Sequence, residues 1–71
     1  MTSEKIVALV NGESRTVRSG TTLAVLLDTM DAPASGIAVA KNDRVVRRIA
    51  FASEVVEDGD RIEIIKAVAG G

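Results

Sequence analysis

Residues 6–12 read IVALVNG, an apolar run that ends in Asn11-Gly12. Alternate residues of a strand point to opposite faces of a sheet, and here both faces are apolar, which predicts a central strand covered on both sides. Asn and Gly tolerate the positive φ angles of a two-residue hairpin loop. Residues 14–18 alternate polar and apolar around Val17 and predict a returning, more exposed strand. The chain is therefore expected to begin with a β-hairpin.

One amphipathic helix is predicted after this hairpin. Ser19-Gly20 breaks the strand pattern, and Thr21 or Thr22 can cap a helix by accepting a hydrogen bond from a free backbone N–H. Four apolar residues then follow at helical spacing and form one stripe: Leu23, Leu26, Leu27 and Met30. Residues 31–36, which include Pro33, predict a loop. We interpret the apolar stripe as core packing.

The second half of the sequence predicts three more strands, at residues 37–40, 45–46 and 61–66, with turns at 42–43 and 58–60. The segment between the last two strands is expected to be irregular or briefly helical. It offers four apolar side chains to close one end of the core: Ile49, Phe51, Val55 and Val56.

A lone helix must lie across the sheet to bury its stripe. The apolar first and last strands are natural central neighbours, running parallel. We therefore predict an α+β, β-grasp (ubiquitin-like) fold, a mixed sheet of four to five strands with one main helix packed across it. We expect residues 1–71 to form one domain with a flexible C-terminal tail at 67–71.

Composition argues against several classes of function. The 71 residues include no cysteine and no histidine, which excludes disulfides, thiolate nucleophiles and the usual zinc ligands. Histidine is also the commonest general base near neutral pH, so we expect neither an enzyme nor a metal site. The net charge of −1 and the single aromatic residue argue against nucleic acid as a partner. No apolar run suits a signal peptide or a membrane span, so no membrane contact and a cytoplasmic location are expected.

The last five residues, 67–71, read AVAGG. Two terminal glycines arise by chance in about one chain in 200. A tail of five residues reaches roughly 16 Å beyond the last strand. A carboxylate resists nucleophiles until it is activated, for instance as an acyl-adenylate made from ATP, and glycine fits a narrow channel because it has no Cβ. If this chain carries sulfur, the absence of cysteine leaves a thiocarboxylate on Gly71 as the plausible form.

Several motifs carry a resemblance to a known family. They read VNGE at 10–13, TLAVLL at 22–27 and, most specifically, DGDRIEII at 58–65 followed by VAGG at 68–71. With these motifs the chain resembles the ThiS family, the sulfur carriers of bacterial-type thiazole synthesis in thiamine biosynthesis. It departs from the family at Arg47, where proline is common, and at Phe51, where tryptophan is common, which affects partner contacts more than the proposed chemistry.

The resemblance implies a role as a protein co-substrate. The Gly71 carboxylate would be adenylated by an E1-like, ThiF-type enzyme and converted to a thiocarboxylate, and a ThiG-type thiazole synthase would receive the sulfur. Val68, Ala69 and Gly70 would be recognised as the tail. ATP belongs to the activating enzyme, so no bound cofactor is expected. The same tail would serve a carrier for molybdopterin or another sulfur-containing product, or a ubiquitin-like protein modifier. An interaction module without C-terminal chemistry is a further alternative.

Basic residues cluster at Arg44, Arg47 and Arg48. They would dock on an acidic partner or contact nucleic acid, or they form a solvated strand edge whose charges discourage aggregation. Arg47, Arg48 and Phe51 are candidates for a partner interface.

Two further groups near the last strand have alternative interpretations. Ile65 and Val68 either expose an apolar patch beside the tail, which would make Ile65 another interface candidate, or are covered by the chain itself. An acidic stretch lacks the alternating ligands of a calcium loop, so we expect turn and solubility roles for its members: Glu54, Glu57, Asp58, Asp60 and Glu63.

Overall fold

The structure is a computed structural model that describes residues 4–32 and 36–66. Its first two strands, β1 (Lys5–Val10) and β2 (Glu13–Arg18), pair antiparallel, with Val10 opposite Glu13. The loop between them is Asn11-Gly12, with φ angles of 51° and 83°. Both residues thus adopt the left-handed conformation that this type of tight turn requires. The predicted hairpin is confirmed.

The single α-helix, α1, spans Leu23–Thr29. Thr22 is its N-cap, and the Thr22 side chain accepts a hydrogen bond from the Val25 N–H at 3.3 Å. This bond satisfies one of the N–H groups that the first helical turn leaves free. The three leucines of the predicted stripe are buried, and Met30, at the C-cap, packs against the core while partly exposed.

The remaining strands are β3 (Ile37–Lys41), β4 (Arg44–Val46) and β5 (Arg61–Lys66), and a 3₁₀ turn covers Arg48–Ala50. The five strands form one sheet in the order β2-β1-β5-β3-β4. β1 and β5 run parallel at its centre, and the other pairs are antiparallel. This is the predicted mixed β-grasp sheet with one main helix. No helix within the described ranges is long and apolar enough to cross a bilayer.

The core lies between α1 and one face of the sheet. Its buried members come from α1, from β1, β3 and β5, and from the segment between β4 and β5: Ala8, Val10, Leu23, Leu26, Leu27, Val39, Phe51, Val56 and Ile62. Val7 and Leu9 on the other face of β1 are exposed. The expectation that β1 is covered on both sides is therefore wrong, because the helix covers one face only.

The segment after β4 closes the core with two of the four apolar residues expected to do so. Phe51 and Val56 are buried, whereas Ile49 and Val55 are exposed, which corrects the prediction. The backbone of this segment also meets the helix: the Glu54 and Phe51 carbonyls accept hydrogen bonds from the N–H groups of Leu23 and Ala24, at 2.9 and 3.0 Å. The segment thus supplies hydrogen-bond acceptors for N–H groups at the start of α1 that have no partner within the helix.

Candidate functional site at the carboxyl end of the last strand

The last strand is held from both sides. β3 pairs with it over five residue pairs, from Lys41–Ile62 to Ile37–Lys66. On the other side, the Asn11 N–H donates to the Ile62 carbonyl, and the Asn11 Oδ1 accepts from the Ile64 N–H, both at 2.8 Å. The Ile62 side chain is buried. The root of the C-terminal segment is therefore fixed at the centre of the sheet.

The candidate chemical site follows this root directly. Lys66 is exposed, is the last residue of β5 and lies opposite Ile37. Gly71 and the expected recognition residues Val68, Ala69 and Gly70 lie outside the described residues, as does the expected flexible tail at 67–71. The geometry therefore defines the end of the sheet at which the chain leaves, next to the first residue of β3.

Exposed apolar side chains also lie on the uncovered face of the sheet, which we call the outer face. It carries Ile65 and its antiparallel neighbour Ala38 beside the exit and, further back on β1, Val7 and Leu9, since Leu9 pairs with Arg61, five residues before Lys66. Ile65 is 56% exposed, and the other three are exposed as well. Of the two alternatives for Ile65, the exposed apolar patch is therefore the correct one. Val7 and Leu9 were missed as surface residues, although their alternation with Ala8 and Val10 placed them on one face.

Sequence reasoning assigned three other residues to a partner interface, and the structure separates them. Arg47 and Arg48 are exposed, whereas Phe51 is buried in the core. The Phe51 ring therefore packs inside the protein, which corrects its assignment to a contact surface. β4 and β5 run in the same direction on either side of β3, with Val46 opposite Val39 and Lys66 opposite Ile37. Arg47, which follows β4, therefore lies towards the end of the sheet where β5 stops.

A charged cluster joins the β3–β4 turn to the start of β5. Lys41 Nζ lies 2.9 Å from Glu54 Oε2 and 3.4 Å from Asp60 Oδ2. Asp60, which is buried, also accepts hydrogen bonds from the Asn42 side-chain amide at 2.9 Å and the Glu57 N–H at 2.8 Å. Every carboxylate oxygen of Asp60 thus has a partner, as a buried charge requires.

These contacts change the acidity of both central groups. Burial alone raises the pKa of Asp60, but the hydrogen bonds from Glu57 and Asn42 and the charge of Lys41 together hold this pKa below its usual value. The hydrogen bond to Glu54 is the main reason that the pKa of Lys41 is raised above its usual value, against a smaller lowering by burial. Both groups therefore stay charged at neutral pH, and the cluster acts as a structural tie.

Asp58, another member of the acidic stretch, also stabilises a turn. Asp58 Oδ1 accepts a hydrogen bond from the Val7 N–H at 2.8 Å, which ties the turn before β5 to β1. Across residues 4–32 and 36–66, no three carboxylates converge into a group that could hold a metal ion. Asp58 and Asp60 thus have the turn roles expected of them.

Comparison with known proteins links this fold to one family. The ThiS family matches residues 5–71. The sulfur carrier protein ThiS of Escherichia coli is 35% identical over 63 residues, which cover 89% of this chain and 96% of that protein. A thiazole synthase of Paramagnetospirillum magneticum is 32% identical over 63 residues, which cover 89% of this chain but only 19% of the enzyme.

Solved structures give the same result. The crystal structure of the thiamine biosynthesis protein ThiS from Geobacter metallireducens superposes with a TM-score of 0.81 at 32% identity, covering 93% of this chain and 100% of that one. A solution structure of a thiamine biosynthesis protein from the same organism gives a TM-score of 0.73. The shared β-grasp fold, the identity to a curated carrier and the match over almost the whole chain show that this protein belongs to the ThiS family of sulfur carriers in thiamine biosynthesis.

Proposed function

We propose that this protein carries sulfur as a thiocarboxylate on Gly71. The observation that carries the proposal is a family match that continues through Gly71 in a sequence without cysteine. A sulfur carrier lacking a thiol side chain has no place for a persulfide. The main-chain carboxylate of Gly71 is then the group that holds the sulfur.

The chemistry requires an enzyme that activates this carboxylate. An oxygen of the Gly71 carboxylate attacks the α-phosphorus of ATP and pyrophosphate leaves, which gives an acyl-adenylate. Hydrosulfide then attacks the acyl carbon and AMP leaves, which gives the thiocarboxylate. An E1-like, ThiF-type enzyme supplies the nucleotide site, so this chain serves as the protein co-substrate.

The position of β5 supports such a role. The strand is bonded to β3 along its length and to Asn11 on the other side, so a partner receives the tail from a fixed root. Fixing the root lowers the entropy that is lost when the tail is ordered in the partner's active site. Glycine at 70 and 71 lets the walls of that site close around the backbone.

Thiazole synthase is the acceptor that the relatives favour. The thiazole synthases of Paramagnetospirillum magneticum and Magnetococcus marinus match 89% and 87% of this chain, respectively, and the matching segment is 19% of the length of each enzyme. A carrier-like segment in the same polypeptide as the synthase raises the effective concentration of one for the other. This arrangement supports a ThiG-type synthase as the enzyme to which the present chain delivers sulfur.

We assign the docking of these enzymes to the outer face. Ile65 remains exposed one residue before the strand that leads to the tail ends, and Val7 and Leu9 extend the exposed apolar surface away from this end. Exposed apolar patches of this kind mark interaction sites in soluble proteins. An enzyme that takes the tail lies close to the Ile65 end of this face, and burying Ile65 contributes affinity beside the point where the tail enters.

The test is the intact mass of the protein after incubation with the activating enzyme, ATP and a sulfur source. We expect a sulfur-for-oxygen mass increase that fragmentation places on Gly71. Deletion of Gly71 should abolish the increase and leave the fold intact, whereas the matched surface variant Arg15→Gln should retain it. A truncated chain that still acquires sulfur would exclude this site.

The same experiment separates the alternatives. Isopeptide-linked Gly-Gly remnants on lysines of other host proteins, without sulfur on the free chain, would identify a protein modifier. A thiocarboxylate that forms but does not support thiazole formation with the host thiazole synthase would identify a carrier for molybdopterin or another product.

A further inference from the structure

A second exposed surface lies along the free edge of β4, apart from the outer face near Ile65. A groove of about 560 Å³ runs between this strand and the 3₁₀ turn. Val45 and Ile49 line it and are 78% and 87% exposed, the highest values among the large apolar residues described. We call this surface the edge groove. Two such side chains on one open groove leave apolar area that a partner can cover.

The edge groove is also basic. Arg44 and Arg47 line it, and Arg48 follows directly. Within the described residues none of these three arginines forms an ion pair, whereas Lys41 and Arg61 do. Three of the nine basic residues of a chain with net charge −1 are thus concentrated in five positions beside an apolar groove. Their charges are free for a carboxylate partner.

The edge groove lies close enough to the tail to be reached by an enzyme that takes the tail. Val46 and Ile64 both pair with Val39, so β4 and β5 are separated by a single strand. Adjacent strands lie about 4.8 Å apart, which puts β4 roughly 10 Å from the strand that leads to Gly71. An interface of ordinary size covers about 800 Å² on each partner, an area that spans this distance easily.

We propose that the edge groove is a second docking surface for the activating enzyme, and that it receives an apolar side chain of that enzyme flanked by Asp or Glu carboxylates. The inference rests on the proposed function, since it concerns the enzyme that takes the tail. The apolar side chain lies between Val45 and Ile49, and the carboxylates face Arg44 and Arg47. Complementary charges of this kind speed association and fix the orientation of the two proteins.

Protein fits this surface better than nucleic acid. Single-stranded nucleic acid is bound on aromatic side chains, and the one aromatic ring of this chain is Phe51, which is buried. Apolar side chains at the centre with arginines around them are typical of protein interfaces.

The experiment measures ATP–pyrophosphate exchange catalysed by the purified activating enzyme of the same organism, with this protein as the varied substrate. The double variant R44E/R47E should raise KM about tenfold or more with little change in kcat, because the tail is intact. Ile49→Ser should raise KM several-fold. The KM ratio of R44E/R47E to wild type should shrink as salt is raised from about 0.1 M, where the Debye length is about 10 Å.

A matched control has the same net charge. R15E/R18E places the same charge reversal on β2, the opposite edge of the sheet, and should keep KM near the wild-type value. Circular dichroism checks that each variant is folded. Equal KM values for the two double variants would overturn the inference while the proposed function stands. An unchanged KM with lost binding to single-stranded RNA would assign the arginines to nucleic acid and also overturn it. If the wild type is not adenylated, the proposed function itself fails.

Discussion

Replacing Ile65 by threonine tests the outer face as a docking surface. Full burial of an isoleucine side chain stabilises by about 1.5–3 kcal/mol. Ile65 is 56% exposed, so a partner that covers it recovers roughly half of this, about 0.8–1.7 kcal/mol. At about 1.4 kcal/mol per factor of ten, Ile65→Thr should raise KM for the activating enzyme roughly 4- to 15-fold. The free energy of unfolding should change little, because threonine is β-branched and suits a strand.

The control for this change is Val25→Thr. Val25 is 51% exposed, similar to Ile65, but it lies on α1, away from the outer face of the sheet. Loss of one exposed apolar side chain there should leave KM unchanged. Steady-state adenylation kinetics of both variants, with urea unfolding to compare their stabilities, provide the measurement. Equal KM values for Ile65→Thr and Val25→Thr would refute the assignment of docking to the outer face.

Three further changes test the packing and the polar contacts. Asp60→Asn should cost about 1–3 kcal/mol at neutral pH. The pKa of Asp60 is lower in the folded protein than in the unfolded chain, so its contribution to the free energy of unfolding is present above the unfolded pKa and is lost as pH falls through the folded pKa. Urea unfolding from pH 6 downwards should therefore show that the free energy of unfolding falls less in Asp60→Asn than in the wild type. An equal fall in the two proteins would contradict this. Leu26→Ala removes a buried helix side chain and should cost about 2–5 kcal/mol by urea unfolding; a loss below about 1 kcal/mol would mean that the core refills the cavity. Asn11→Ala should speed hydrogen exchange of the Ile64 amide, since its acceptor is removed, and unchanged exchange would show that the contact does not protect it.

The hairpin, the helix and the last strand could be predicted because local residue chemistry determines each of them. Asn11-Gly12 adopts the positive φ angles of its turn, and Thr22 caps the helix that its position indicates. The last strand follows Asp58-Gly59-Asp60, and its alternation correctly separated Ile65 from Ile62. In each case the deciding interactions involve residues close together in sequence.

Burial depends on the rest of the fold, and the errors occurred there. Val7 and Leu9 belong to an apolar strand, but one helix covers one face of a sheet, so the second face stays exposed. Ile49 and Phe51 are both apolar and two positions apart, yet the 3₁₀ turn directs one outwards and the other into the core. The edge groove between β4 and this turn was equally invisible in the sequence, because it forms only when the turn packs beside the strand.

The shared direction of β1 and β5 has a practical consequence for measuring how this protein engages its enzymes. Each residue of β1 lies level with the residue 52 positions later, as Leu9 does with Arg61. The same register places Lys5 level with position 57, nine residues before Lys66. At about 3.3 Å per residue, roughly 30 Å separates the two strand ends. The sequence has no other thiol, so a fluorophore on Lys5→Cys would be attached at a single site. Such a reporter would sit far from Ile65 and the end that enters the enzyme, and it would follow binding by anisotropy.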